Sequence, residues 1–290
     1  MQKKLTLAKW AIMSTLVISL GVACKKTGEE PPPPVTPKPP AGFVYIKGGQ
    51  FKMGSPAGLG TSLEEPQHSV ILRAFFVDTT ELTRGKFFEF LASSDTSLMP
   101  NPYERRESYY PGSITAPVAH MGFRNALLYC NWRSKNEGLI APYTFNGNGT
   151  ITYNRSANGY RLLTEAEWEY ACRAGSETDF SFGSDGGALG DYAWYSLNSD
   201  NKSHPVALKK PNAFGLYDMH GNAGEWVWDF FGNYSGGELE NPTGPTTGTE
   251  RVYRGGTWKD PTATLRSSNR FTGGEYYSYE AVGIRLARNI

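Results

Sequence analysis

The spacing of apolar and polar positions changes several times along the first third of the chain. Apolar residues alternate with others through "FVYIKGGQFKMGS" (Phe43–Ser55), which predicts two strands separated by a turn or bulge at Gly48-Gly49. A second β-rich run covers Val70–Val77. After Thr83 the period becomes helical, and Thr83 is a suitable N-cap for a helix whose predicted buried face holds Phe87, Phe88 and Leu91.

The middle of the chain carries stronger local signals. "NALLYCNWRSKNEG" predicts a helix that ends at Gly138, and Asn146–Gly149 lies between two short β-rich runs, as in a hairpin. Thr164 and Glu167 have the spacing of a capping box, which predicts the start of a third helix. From residue 176 onward helical periodicity is missing, so we expect ordered loops and short strands that end in a strand at "AVGIRLAR".

The N-terminal segment has the pattern of an export signal. Lysines precede an apolar run, Trp10–Ala23, that is too short for a stable membrane span. The run ends in "GVAC", which resembles a bacterial lipobox with Cys24 as the lipidated residue. Residues 1–23 are therefore interpreted as a lipoprotein signal peptide, the alternative being a plain secretory signal with an incidental cysteine.

Residues 24–40 are dense in proline and poor in apolar side chains, which predicts an extended linker. With no second linker in the sequence, residues 41–290 form one expected domain. We expect the protein to be exported and anchored by its lipid to a bacterial membrane, namely the outer membrane with the domain facing the periplasm or the surface. The formal net charge of +1 gives no sign of a nucleic-acid partner.

Six segments that recur in family order resemble the formylglycine-generating enzyme, or sulfatase-modifying factor, family. They are "FVYIKGGQFKMGS", "FFVDTTELT", "GYRLLTEAEWEYACRAG", "PNAFGLYDMHGNAGEWVWD", "RVYRGGTW" and "VGIRLAR". The resemblance implies a single α+β domain, similar to C-type lectins, with little regular secondary structure. It also implies an ancestral activity, the copper-dependent oxidation of a substrate cysteine to formylglycine.

The residues that would carry that activity differ here. In the family two cysteines beyond the turn that corresponds to Gly255-Gly256 hold Cu(I), which prefers soft thiolate ligands. Asp260 and Leu265 occupy those positions. The sequence therefore argues against copper and leaves the catalytic set empty.

The remaining cysteines have two readings. Cys130 and Cys172 match the first halves of two family disulfides, whose second halves fall near residues 268–270 and at Leu286, where there is no thiol. Two cysteines in an exported domain can also pair with each other. We favour two free, buried thiols, since both lie in apolar helical segments.

The resemblance also implies structural calcium. In "HGNAGEW" the side chains of Asn222 and Glu225 supply oxygen atoms of the kind that Ca²⁺ prefers. The alternative is that Asn222 caps the turn and Glu225 pairs with an arginine.

A tyrosine-rich segment near the C-terminus suggests binding. Tyrosines among Gly and Ser give a large contact area at low entropic cost, as in antibody paratopes. The candidate ligand contacts are Trp258, Asp260, Arg266, Asn269, Arg270, Tyr276, Tyr277 and Tyr279, although the two arginines also suit internal bracing and the tyrosines also suit core packing. Some surface lipoproteins with this domain carry retroelement-diversified ligand contacts in this segment, and the chain resembles them in anchor, length and placement.

Three functions follow from these features. The leading hypothesis is an envelope lipoprotein that binds a protein or another surface ligand. The alternatives are a divergent oxidoreductase of the same family and a structural subunit of a gliding or secretion complex.

Overall fold

The C-terminal strand lies in the interior of a four-stranded antiparallel sheet. The computed structural model describes residues 36–290, so the signal peptide, Cys24 and most of the linker lie outside the described residues. The sheet has the order β1-β4-β13-β7 and consists of Phe43–Ile46 (β1), Phe75–Asp78 (β4), Leu286–Asn289 (β13) and Tyr160–Leu162 (β7). The segment AVGIRLAR, predicted as one closing strand, forms two short strands, and only the second lies in this sheet.

A second four-stranded sheet includes the strand that leads into the turn at Gly255-Gly256. Its order is β11-β10-β8-β12, with the strands Phe271–Gly274 (β11), Glu250–Arg254 (β10), Gly224–Phe230 (β8) and Val282–Gly283 (β12). The short strand β12 runs parallel to β8, and the other pairs are antiparallel.

Two smaller sheets complete the strand set. Gly49–Met53 (β2), His68–Leu72 (β3) and Glu238–Glu240 (β9) form a three-stranded sheet. Tyr143–Phe145 (β5) and Ile151–Tyr153 (β6) form the hairpin that the Asn-Gly repeat predicts. Helices take 21% and strands 23% of the structure, which confirms an α+β domain dominated by loops.

Residues 36–290 contain four α-helices, of which the first and third begin at their predicted caps, while the short fourth was not predicted. They are Arg84–Leu91 (α1), Phe123–Asn136 (α2), Glu165–Arg173 (α3) and Leu189–Tyr192 (α4). Thr83 accepts a hydrogen bond from the backbone of Lys86, and Thr164 and Glu167 form the complete capping box of α3. None of the helices in residues 36–290 is long and apolar enough to cross a membrane.

The buried face of α1 differs from the prediction. Phe87 and Phe90 are fully buried and pack against Tyr129 of α2, whereas Phe88 and Leu91 are only half-buried. The buried face therefore holds Phe87 and Phe90, because side chains three residues apart lie on the same face of a helix.

Both cysteines in the described part of the chain are free. Cys130 and Cys172 have no exposed surface and no disulfide partner. This agrees with the free-thiol reading of the sequence and excludes a bond between them in this structure.

Candidate functional site

The two positions that the resemblance assigns to the family's cysteines follow β10 in the chain. Asp260 uses one carboxylate oxygen to accept hydrogen bonds from the backbone and hydroxyl of Thr257, each at 2.8 Å. Leu265 is fully buried among Phe180, Leu189 and Tyr195. Each residue therefore has a structural role, and neither is a ligand for a soft metal.

The nearest contact between a thiol and an imidazole does not form an activated pair. Cys172 Sγ lies 3.8 Å from His220 Nε2, in the interior. Burial raises the pKa of Cys172 to about 12 and lowers the pKa of His220 to about 4. His220 is fixed by contacts with the carbonyl of Leu265 and the hydroxyl of Ser181. At neutral pH both groups are uncharged, whereas a cysteine nucleophile requires the thiolate.

The expected calcium ligands are already used by protein groups. Asn222 Oδ1 accepts from the backbone N–H of His204, and its Nδ2 donates to the carbonyl of the same residue. Glu225 binds Arg285 through both oxygens and accepts from Trp168 Nε1 at 2.7 Å. These two side chains do not fit calcium. The arrangement matches the alternative that the sequence left open, and residues 36–290 contain no cluster of three His, Cys, Asp or Glu that suits a metal.

Two of the candidate ligand contacts are buried, and a third is held by an internal ion pair. Arg270 forms a two-pronged ion pair with Glu165, at 2.6 and 2.8 Å, and Asn269 is buried beside it in the sequence. Arg266 binds Glu64 in the same manner. These contacts agree with the alternative that the arginines brace loops internally; Asn269 and Arg270 are buried, whereas Arg266 is half-buried.

The tyrosine segment does project from the domain. Tyr276 and Tyr277 are 67% and 68% exposed. Tyr279 is half-buried, packs on Trp226 and accepts from the backbone of Gly274. Ser278 donates to Glu104. The segment is thus anchored by Ser278 and Tyr279, which leaves the rings of Tyr276 and Tyr277 exposed.

A cavity of about 540 Å³ lies at the end of this segment. Its lining includes Arg84, Gly112, His120, His204, Trp258 and Glu280. Trp258 was a predicted contact, but its ring is only 5% exposed and its Nε1 is buried without a partner in the described residues. Glu280 forms an ion pair with Lys259 at the wall.

Sequence reasoning missed Arg84 and His120. One signal for Arg84 was available, because a cation in the first turn of a helix is opposed by the helix dipole and so suggests a role outside the helix. His120 has a positive φ of 57°, which no sequence pattern indicated. Burial lowers the pKa of His120. The charge of Glu280 raises it, and the charges of Arg84 and Lys259 lower it.

The geometry agrees with comparisons to known proteins. A family model described as a sulfatase-modifying factor enzyme 1-like domain matches residues 29–290. The chain belongs to this sulfatase-modifying factor family. The fold expected from the resemblance is confirmed, and the assignment of Asp260 and Leu265 to the family's cysteine positions stays a prediction.

Several known proteins are similar to the chain. It is 30% identical over 264 residues to the formylglycine-generating enzyme of Streptomyces coelicolor, covering 79% of this chain and 82% of that protein. It is 29% identical over 279 residues to the serine/threonine-protein kinase pkn1 of Chlamydia pneumoniae, covering 94% of this chain but only 41% of the kinase. Among solved structures, Treponema denticola variable protein 1 superposes with a TM-score of 0.75 and 26% identity, covering 86% of this chain and 95% of that one.

Proposed function

We propose that the protein is a binding protein of the bacterial cell envelope, in which a sulfatase-modifying factor domain holds a partner and does not oxidise a thiol. The observation that carries the proposal is the pair of exposed rings, Tyr276 and Tyr277, on an anchored segment that the family resemblance assigns to the substrate face. Exposed clusters of large apolar groups often mark interaction sites, so two exposed tyrosines on one segment favour a contact with a partner.

The anchoring of the segment favours binding over simple exposure. Arg124 lies 5.1 Å from the ring centre of Tyr276, and its guanidinium also pairs with Glu275. The backbone N–H of Tyr277 donates to the carbonyl of Gly274. A segment held in this way loses little conformational entropy when it binds, which raises affinity without new contacts.

The residues at the positions assigned to the family's cysteines supply no reactive group, which supports a non-enzymatic role. Asp260 caps a turn, Leu265 fills the core, and the contact between Cys172 and His220 is uncharged. The divergent oxidoreductase requires a metal ligand set that these positions do not supply. Membership of the formylglycine-generating family is the reason to test that alternative directly.

Export and lipidation at Cys24 are part of the same proposal. The Treponema protein with a similar fold is named as a variable protein, and a diversified contact segment fits the tyrosines at 276, 277 and 279. Metabolic labelling with a clickable palmitate analogue tests the anchor. We expect label on the wild type and none on C24A, and label retained by C24A would contradict lipidation at this residue.

Site-specific photocrosslinking in the native cells tests the contact surface. A photoreactive residue placed at Tyr277 is expected to give a discrete crosslinked species that a Y276A substitution weakens. The control places the same residue at Ile140, which is similarly exposed (60%) and belongs to the separate segment between α2 and β5. Equal crosslinking from both positions, or none from residue 277, would contradict the proposal. Recovery of one large envelope assembly would favour the structural-subunit alternative.

A further inference from the structure

Arg84 differs from the other buried arginines of the domain. Seven arginine residues in the described part of the chain are buried. Six of them pair with a glutamate, namely Arg161, Arg173, Arg251, Arg254, Arg270 and Arg285. Arg84, only 4% exposed, has no carboxylate partner within residues 36–290. Buried charges are paired as a rule, so this exception requires an explanation.

The contacts that Arg84 does make are long and neutral. Its Nη1 donates to the carbonyl of Ser113 at 3.4 Å and its Nη2 to the hydroxyl of Ser203 at 3.2 Å. Its Nε has no partner among the described residues. Burial lowers the pKa of Arg84, with no carboxylate to offset the loss of hydration. The guanidinium is therefore underbonded in this structure.

The chain packs closely around this group. At Gly112 (φ +118°) an added Cβ would lie 3.0 Å from the guanidinium carbon of Arg84. The glycine thus lets the loop approach the charged group. The site is built around the guanidinium, which argues against a surface side chain that merely folded inward.

The same cavity holds a second donor without an acceptor. Trp258 Nε1 is buried and unpartnered in the described residues, and its ring lines the wall. Lys202 adds positive charge, and the one carboxylate of the lining, Glu280, is taken by Lys259. The cavity therefore offers unpaired positive charge and unpaired donors, and it lacks the matching acceptor.

We propose that this cavity binds a carboxylate group, which pairs with Arg84 and accepts from Trp258. A planar carboxylate fits the fork of a guanidinium. Because Glu280 is paired with Lys259, phosphate serves as the control for a site that holds any anion. The carboxylate can belong to a small molecule or to a residue of the bound partner. This inference rests on the proposed binding function, because it assigns the chemistry recognised beside the tyrosine segment.

Nuclear magnetic resonance of the ¹⁵N-labelled full-length chain tests the proposal, with benzoate and acetate as probes and benzamide as the neutral control. We expect benzoate to shift the indole N–H signal of Trp258 and the Nε–H signal of Arg84 in a saturable way. Benzamide, chloride and phosphate are expected to have little effect. The absence of a saturable shift with either carboxylate at millimolar concentration, or an equal response to chloride, would overturn the proposal.

Variants locate the binding. R84Q is expected to weaken benzoate binding by about tenfold or more, because a charged hydrogen-bonding partner is lost. R84K retains the charge and is expected to lose less, which keeps the test valid if R84Q folds poorly. The matched control is R155Q, at an exposed arginine distant in sequence, with unchanged affinity expected. Undiminished binding by a folded R84Q would overturn the assignment.

The two proposals fail separately. If benzoate does not bind but the crosslink from residue 277 persists, only the carboxylate assignment is lost. If benzoate binds in an Arg84-dependent way but no crosslink forms, the cavity is a small-molecule site and the partner-binding proposal is lost.

Discussion

The carboxylate of Glu64 accepts both arms of the Arg266 guanidinium, at 2.6 and 2.7 Å, across 202 residues of sequence. Ser55 and Ser268 also donate to it. Burial alone would raise the pKa of Glu64, but these hydrogen bonds hold it at about 2. The pair fastens the loop before β3 to the loop that follows Gly255-Gly256.

This pair predicts a pH dependence of stability. Since the folded pKa of Glu64 lies below its usual value of 4.5, its contribution is present above pH 4.5 and is lost as the pH falls toward 2. The loss amounts to about 3 kcal/mol of unfolding free energy. Urea unfolding of the wild type and E64Q between these pH values measures it, with E65Q as the control. Parallel pH profiles for the wild type and E64Q would contradict the assignment.

Glu81, next to Asp218, predicts the opposite pH dependence, a loss of stability as the pH rises. Glu81 Oε2 and Asp218 Oδ1 are buried without partners in residues 36–290. Burial first, and then the charge of Asp218, raise the pKa of Glu81 well above 4.5. Stability from the protonated Glu81 is present below pH 4.5 and is lost as the pH rises through the raised pKa.

The E81Q substitution replaces the titrating group with a neutral one of the same shape. We expect the melting temperature of E81Q, relative to the wild type, to increase as the pH rises from 4.5 toward 8. Differential scanning fluorimetry across that range measures it. A constant difference between the two proteins would show that Glu81 is ionised in the folded state throughout.

Calcium is expected to have little effect on folding. Asn222 and Glu225 are occupied by His204, Arg285 and Trp168. Melting temperatures should therefore agree in excess EDTA and in millimolar calcium. A calcium-dependent rise of several degrees would show that the loop opens to coordinate the ion.

The buried thiols should be inert in the folded protein. Burial raises the pKa of Cys130 as it does that of Cys172, and neither forms a disulfide. We expect a chromogenic disulfide reagent to leave both unmodified in native buffer and to label both in denaturant. A reducing agent should not change the melting temperature. Rapid labelling of the native protein would contradict the buried positions.

Local signals allowed several elements to be predicted. The capping box at Thr164, the hairpin at Asn146–Gly149 and the end of α2 at Gly138 depend on residues near one another in sequence. The partners of buried charges depend on distant ones. The sequence left Arg270 open between a ligand contact and an internal brace, because its partner, Glu165, lies 105 residues away and no pattern connects the two.

The site was predictable where it depended on residue identity. The lack of a thiol at Asp260 and Leu265 is visible in the sequence, and so is the cluster of tyrosines. The cavity was not, because Arg84, Gly112 and Trp258 come from three separate segments that only the fold brings together. Unpaired charge is likewise a property of the packed structure.

Copper stoichiometry combined with peptide oxidation tests the central claim most directly. The purified chain is incubated with Cu(I), oxygen and a cysteine-containing sulfatase peptide, and bound copper and aldehyde product are measured. The D260C/L265C variant, which restores both family thiols, serves as a comparison for copper binding. We predict that the wild type retains no stoichiometric copper and forms no aldehyde. One tightly bound copper ion per wild-type chain with formylglycine product would contradict the account.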